Sequence, residues 1–488
     1  MKAIYLCAIW LRTKRILDKP IPHNLGYYVC VHNLRWGMKM LNESKPSLRR
    51  DLGLVQATSL AITDMIGIGP FITIPLFLST MGGPQAMLGW LIGALLAFCD
   101  GLVWAELGAA LPKAGGSYHY LREAFGPTGA GRWFSFLIVW QIMFSAPLSV
   151  ASGSIGFANY CHFLIPGLSP LGVRLLAASI PLLLVVLLYR KISVLGKLSV
   201  ILLGGVMIGC FWIVIIGLPH LSPTRLFDFP PDAFKMNWLF WAGLGHATLY
   251  ALYDYFGYYN VCYLGEEIRR PERVIPRAIL FSIAAVGVLY ILMSASILSV
   301  IPWRQAQESS FIASTFIERL QGSAAAKFMT LLMLWIAFSS VFSLLLGYSR
   351  IPFAAAADGN FFRVFARLHP TGAFPHVSLV TLGVIASIFS FGHLPDVIGS
   401  LVATRVLIQY MPQAIGFFVL RFRSPGLRRP FRMWLYPIPG IISILGWLYI
   451  LGTSAHKALL FAAVVFVLGS VAFFVRARIR CEWPFQSL

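Results

Sequence analysis

Apolar stretches of roughly 18 to 27 residues recur along nearly the whole chain. A hydrocarbon layer about 30 Å thick is crossed by about 20 helical residues. Twelve such segments can be counted, near residues 53–80, 84–111, 132–160, 170–189, 193–218, 238–264, 276–301, 324–349, 376–393, 395–420, 433–453 and 457–475. Composition supports the same reading. Of all residues 58% are hydrophobic and 12% charged, with mean hydropathy +0.76, a balance that ordinary soluble domains lack. The expected fold class is an all-α polytopic membrane protein with twelve transmembrane helices.

Two of these segments are broken in the middle. The first, Leu52 to Thr80, is interrupted by Asp64-Met65-Ile66-Gly67-Ile68-Gly69-Pro70, and the sixth, Trp238 to Leu264, by Tyr253-Asp254-Tyr255-Phe256-Gly257. An unpaired peptide group in hydrocarbon costs several kcal/mol, so a spanning helix breaks only where the gap is buried in protein or lines a cavity. The half-helix ends so exposed attract anions at their N–H groups and cations at their C=O groups. A matched pair of broken helices in the two halves of a chain points to a secondary transporter's substrate site.

The net charge of +21 follows the loops. Lys and Arg crowd into the first 50 residues, the stretch Arg269 to Arg277, the stretch Arg421 to Arg432 and the other loops of the same parity. Cytoplasmic enrichment of these residues sets orientation, so both termini are expected in the cytoplasm of a multi-pass cell-membrane protein. The basic balance is then a topological signal and not a nucleic-acid footprint. The seven cysteines show no metal or disulfide spacing and read as small packing residues. No phosphate-binding loop and no filter repeat suggests a primary pump or a channel. The first 50 residues read as a basic cytoplasmic tail or as the product of a start assigned too far upstream.

Longer motifs accompany the breaks. Gly67-Ile68-Gly69 resembles the unwound glycine motif of the amino acid–polyamine–organocation (APC) permeases. Leu107 to Tyr118 and Tyr120 to Gly126 resemble that family's second helix and the loop after it. Glu266 to Ile279 is similar to the stretch after its sixth helix, and Ser349 to Gly359 with Leu368-His369-Pro370 to the stretch after its eighth. The matches run in order from about 52 to 430. The resemblance implies a five-plus-five inverted-repeat, LeuT-like core with broken helices 1 and 6. The first repeat would cover 51–218, the second 219–423, and two peripheral helices with a C-terminal tail 424–488. It also implies transport of amino acids or amines by alternating access, as symport or exchange, with no enzyme activity and no cofactor beyond an H+ or Na+ coupling ion left open. Oligomeric state is not indicated.

Candidate site residues are set by chemistry first. Asp64, Ile66, Gly67, Ile68 and Gly69 form one wall: successive N–H groups at a half-helix end bind a carboxylate without a charged side chain, and Pro70 suits a first helical turn. The plainer reading is a packing glycine pair. Tyr253, Asp254, Tyr255 and Gly257 form the other wall, and in related permeases an aromatic matching Tyr253 covers the substrate as a gate. Asp64 and Asp254 are intramembrane acids where the family more often has small or amide residues. Each is a candidate for binding an ammonium or carrying a coupling proton, against a structural ion pair. Arg405 in the tenth segment is the cation at comparable depth and the expected partner of one acid. Ser339 and Ser340 in the eighth segment are coupling candidates because hydroxyls there join a Na+ site in sodium-coupled relatives, although serines in helices commonly back-bond. The lysine of some proton-coupled members, in the fifth helix, is missing here near Val206. Asp100, Glu106, Glu266 and Glu267 read as salt-bridge residues and His246 as a satisfied polar group. Two acids in one cavity also suggest a polyamine or cationic amino acid substrate. An intramembrane aspartyl protease is disfavoured because no Gly-x-Gly-Asp follows Tyr253-Asp254 between Ile275 and Ile301.

Overall fold

The computed structural model describes residues 52–113, 115–189, 192–370 and 374–485. The expected N-terminal tail lies outside the described residues. Among those described the chain is helical without a β-strand; a single bridge pairs Leu52 with Ile268. The helices used below are α1 Leu54–Met65, α2 Gly69–Met81, α3 Leu88–Ala110, α4 Ser117–Phe125, α5 Ala130–Leu164, α6 Pro170–Leu188, α7 Ile192–Gly217, α8 Trp238–Tyr255, α9 Asn260–Tyr263, α10 Pro271–Val300, α11 Ile312–Gln321, α12 Ser323–Tyr348, α13 Arg350–Ala357, α14 His376–Phe389, α15 Leu394–Arg405, α16 Met411–Arg423, α17 Ile438–Thr453 and α18 His456–Ile479.

By length and composition, six helices among the described residues suffice to cross a membrane, and a seventh span arises if α1 and α2, bent by 45°, count as one. Other expected spans are shorter than the sequence pattern suggests, such as His376–Phe389 and Ile438–Thr453. The sixth also departs: its helix stops at Tyr255, and beyond the break the chain forms only the short turn of α9. The outer faces carry the apolar load. Leu183, Val186, Phe281, Ile215, Leu460 and Val467 are all exposed, a surface that water would not tolerate in such extent and that lipid accepts.

Within the compact unit Leu48–Val471 the helices form two sets. α1, α2, α3, α8 and α10 pack on one another, and so do α5, α6, α12 and α14. Close approach in the second set is possible because α5 turns Ser145, Ser149, Ser152, Gly153 and Gly156 inward, small residues that let backbones near one another. The residues from Ala472 belong to a second unit, in which α18 runs on to Ile479 and Arg476 faces Glu482 at 3.6 Å.

Candidate functional site

The first break is built by three residues. α1 ends with the Ile66 N–H on Ile62 O at 2.8 Å; Ile66 then leaves helical space (φ −84°, ψ 88°), and α2 starts at Gly69 with Pro70 in its first turn. Gly67 and Gly69 do not have left-handed φ values. They are glycine because of their neighbours: a Cβ on Gly67 would lie 2.6 Å from Ser340 Oγ, and one on Gly69 2.0 Å from Asp254 Oδ1.

The second break needs glycine for both reasons. After α8 Phe256 is extended and Gly257 takes φ +131°, a conformation costly for any side chain. A Cβ there would sit 2.7 Å from the Asp64 carbonyl carbon. The two breaks therefore cross in backbone contact. Tyr290 of α10 clamps the crossing, its hydroxyl 2.7 Å from Met65 O and 3.3 Å from Asp254 O. Those contacts satisfy carbonyls that the helix ends leave open.

A cavity of about 40 Å³ lies at this crossing, between the two helix sets. From the first set it is lined by Asp64, Gly67, Ile68, Gly69, Tyr253, Asp254 and Gly257, all expected from the sequence. Ser340 and Arg405 join them. Ile66, Tyr255 and Ser339 do not line it. Ile66 is buried beside the break, Tyr255 turns to Trp90 and Tyr290, and Ser339 Oγ donates to Trp335 O at 2.7 Å, the ordinary back-bond.

Each acid is met by a neutral donor. Asn260 Nδ2 donates to Asp64 Oδ2 at 2.7 Å, and Thr73 Oγ1 to Asp254 Oδ2 at 2.6 Å. Asp254 is 2% exposed and its Oδ1 has no partner. Arg405, 3% exposed, is held by hydroxyls: it donates to Tyr259 and Tyr348, the latter at 2.6 Å, and to Ser149 Oγ at 3.4 Å. Its guanidinium also lies 5.3 Å from the Tyr348 ring and 5.4 Å from the Phe256 ring, within range of cation–π attraction. The expected ion pair between Arg405 and an acid is thus replaced by bonds to phenols, because Asn260 and Thr73 already serve the carboxylates.

Tyr253 lines the cavity. Its hydroxyl is 2.8 Å from Ser152 Oγ on α5, bridging the two helix sets. The apolar side chains of Leu148, Ile155, Val397 and Leu401 pack in one cluster with Tyr253; Leu401 also lines the small cavity, and Ile155 lines a second one of about 610 Å³ together with Leu76, Arg174 and His393. Elsewhere Glu106 pairs with Arg421 at 2.6 Å, as expected of it, whereas Asp100 is held by neutral groups, Tyr258 at 2.7 Å and Trp447 at 3.2 Å. His246 Nδ1 lies 2.9 Å from Ala242 O. Glu266 is exposed, and the side chain of Glu267 is not among those described.

Sequence reasoning missed Asn260, Thr73, Ser149 and Tyr348. The one signal available was Asn260, an amide six residues beyond Asp254 inside an apolar run.

A family model described as amino acid permease matches residues 52–476. The chain belongs to this family, within the APC superfamily. It is 27% identical to the human cystine/glutamate transporter, over 82% of this chain and 79% of that one. It is 27% identical to the serine/threonine exchanger SteT of Bacillus subtilis, over 83% and 91% of the two chains. The b(0,+)-type amino acid transporter 1 of Mus musculus is likewise 27% identical, over 88% of each. The family and these relatives are transporters, not enzymes.

Proposed function

We propose that this chain is a secondary active transporter that moves amino acids across the cell membrane by alternating access. One observation carries the reading: both interrupted helices meet at a single buried cavity between two helix sets. At that point the α2 N-terminus offers N–H groups to a carboxylate, while the C-terminal ends of α1 and α8 favour an ammonium. A zwitterion matches both ends at once.

A twelve-span, five-plus-five inverted repeat with cytoplasmic termini is part of the proposal. It is supported by the pairing of counterparts: α3 packs on α10, α5 on α12, α6 on α14, and the first broken helix on the second. The name of the Bacillus subtilis relative favours exchange over symport. The polyamine reading finds no support. Asp64 and Asp254 are engaged by neutral donors, Arg405 adds a buried positive group, and the named relatives are amino acid transporters.

Thermal unfolding of the purified protein with each of the twenty amino acids, putrescine, spermidine and agmatine tests the reading. A ligand bound only by the folded state raises the melting temperature. Stabilisation by amino acids, followed by uptake into proteoliposomes that an internal amino acid accelerates, is the expected result. Stabilisation by polyamines alone would overturn it.

A further inference from the structure

We propose that Arg405 is a specificity-determining residue that reads a second carboxylate on the substrate, so that acidic amino acids are the preferred cargo. The inference deepens the transport reading and rests on it. A guanidinium keeps its charge at any physiological pH, and a charge inside a spanning segment is costly enough to mark a functional site. Arg405, the last residue of α15, is 3% exposed and lines the cavity where the two breaks cross. No carboxylate meets it there. Asp64 is engaged by Asn260 and Asp254 by Thr73, and among the described residues Arg405 forms no ion pair. Its hydrogen-bond partners are all neutral. Nη1 donates to the Tyr259 hydroxyl, Nη2 to the Tyr348 hydroxyl at 2.6 Å and to Ser149 Oγ at 3.4 Å, and Nε has no partner.

Phenols and a serine orient this group without neutralising it. Nε and Nη2 share one edge of the guanidinium, a fork that grips a carboxylate through two parallel N–H bonds. On that edge Nε is unpartnered, and the Ser149 contact is longer than an ordinary hydrogen bond. A buried donor left unsatisfied is unfavourable, the more so on a charged group. A carboxylate supplies the missing acceptor and the missing charge together, whereas an amide or hydroxyl supplies an acceptor alone. The position suits a side chain rather than the α-carboxylate. Ser152 Oγ lies 2.8 Å from the Tyr253 hydroxyl and donates to Ser149 O at 2.8 Å, so Tyr253 and Arg405 meet α5 about one turn apart. Tyr253 is also the residue that reaches Gly69, its Cε1 3.3 Å from where a Cβ there would lie. A substrate whose α-carboxylate rests at the Gly69 helix end therefore extends its side chain toward Arg405.

Dissociation constants of the purified full-length protein for glutamate and aspartate, and for glutamine and asparagine, test this in wild type, Arg405→Gln and Arg405→Lys. Each acid differs from its amide by one charge at nearly constant size; serine, leucine and arginine serve as references. Wild type should bind the acids at least about tenfold more tightly than the amides and the references, and Arg405→Gln should bring the acid-to-amide ratio to about one. Arg405→Lys, which keeps the charge and loses the fork, should keep part of the preference. A merely structural Arg405 would weaken acid and amide together and leave their ratio as it was. A smaller preference in wild type, or one that survives Arg405→Gln, would overturn the inference and leave the transport reading standing. The wild-type comparison decides alone if neither variant folds. Folded wild type that binds no amino acid at all would overturn both.

Discussion

Gly67 owes its identity to a neighbour rather than to its backbone. A methyl group there meets Ser340 Oγ at 2.6 Å and Ser340 Cβ at 3.2 Å. Gly67→Ala is therefore expected to cut substrate binding and uptake at least tenfold, and Gly67→Ala with Ser340→Ala to recover part of the loss, since the nearer clash is gone. Radiolabelled uptake in proteoliposomes checks it; equal activity in wild type and Gly67→Ala would remove Gly67 from the site. Asp64 makes a second case. Its bond to Asn260 ties one break to the other, so Asp64→Asn should lower uptake of neutral and cationic amino acids alike; a loss confined to cationic ones would make it a substrate ligand instead. Glycine, proline and carboxylate stand out in an apolar run, which is why the break residues were legible in the sequence. Thr73, Ser149 and Tyr348 were not, because hydroxyls in membrane helices usually back-bond and only tertiary pairing singles them out. Tyr255 misled for a related reason: two residues along a helix is a turn of about 200°, so Tyr253 and Tyr255 face opposite ways, and pattern alone did not say which faced the cavity.

Helix ends and irregular turns carry the next level of control. α15 and α16 are joined through a π-helical turn, Val406–Tyr410, directly after Arg405. Pro412 lacks an N–H and its ring crowds the carbonyl one turn back, so the ladder widens there, and such widened turns are frequent at functional sites. The proline was visible in the sequence; the type of turn it produces was not, because that depends on what packs around it. The positions of the long helices were legible from apolar length, whereas the short reach of α9 was not, since Asn260 to Leu264 is as apolar as many helices and it is the extended Phe256 with Gly257 that redirects the chain before it. At its far end α16 is fastened to α3: Glu106, 1% exposed, accepts from Arg421 at 2.9 and 2.6 Å and from the Met433 N–H at 2.7 Å, with Arg429 at 3.5 Å. Removing one partner of a buried pair strands the rest, at about 3 kcal/mol. Glu106→Gln should therefore lower the melting temperature in detergent. Arg421→Lys should fall nearly as far, because an ammonium does not form the two-pronged bond. An unchanged melting temperature for Glu106→Gln would mean that the cluster does not hold these elements together.

For the unit Leu48–Val471 as a whole, the division into two helix sets makes a mechanical claim. The cavity lies between them, the Tyr253–Ser152 bond crosses from one to the other, and about 40 Å³ is too small for an amino acid. Packed helices shift as rigid groups more readily than they deform, so substrate enters only if the sets move relative to each other. A bond between the sets should then stop transport, and a bond within one set should not. Gly156 on α5 and Ile72 on α2 suit the first: a Cβ on Gly156 would be 3.3 Å from Ile72 Cγ2. Gly93 on α3 and Ala251 on α8 suit the second, with Cβ positions 2.6 Å apart, close enough for a bridge after a small backbone shift. In a background lacking the seven native cysteines, oxidation of the Gly156→Cys, Ile72→Cys protein should abolish uptake and reduction should restore it. The Gly93→Cys, Ala251→Cys protein should transport whether oxidised or reduced. Uptake that survives the first crosslink, with bridge formation verified by mass spectrometry, would show that the sets need not separate and would require substrate to enter by movement of Tyr253 alone.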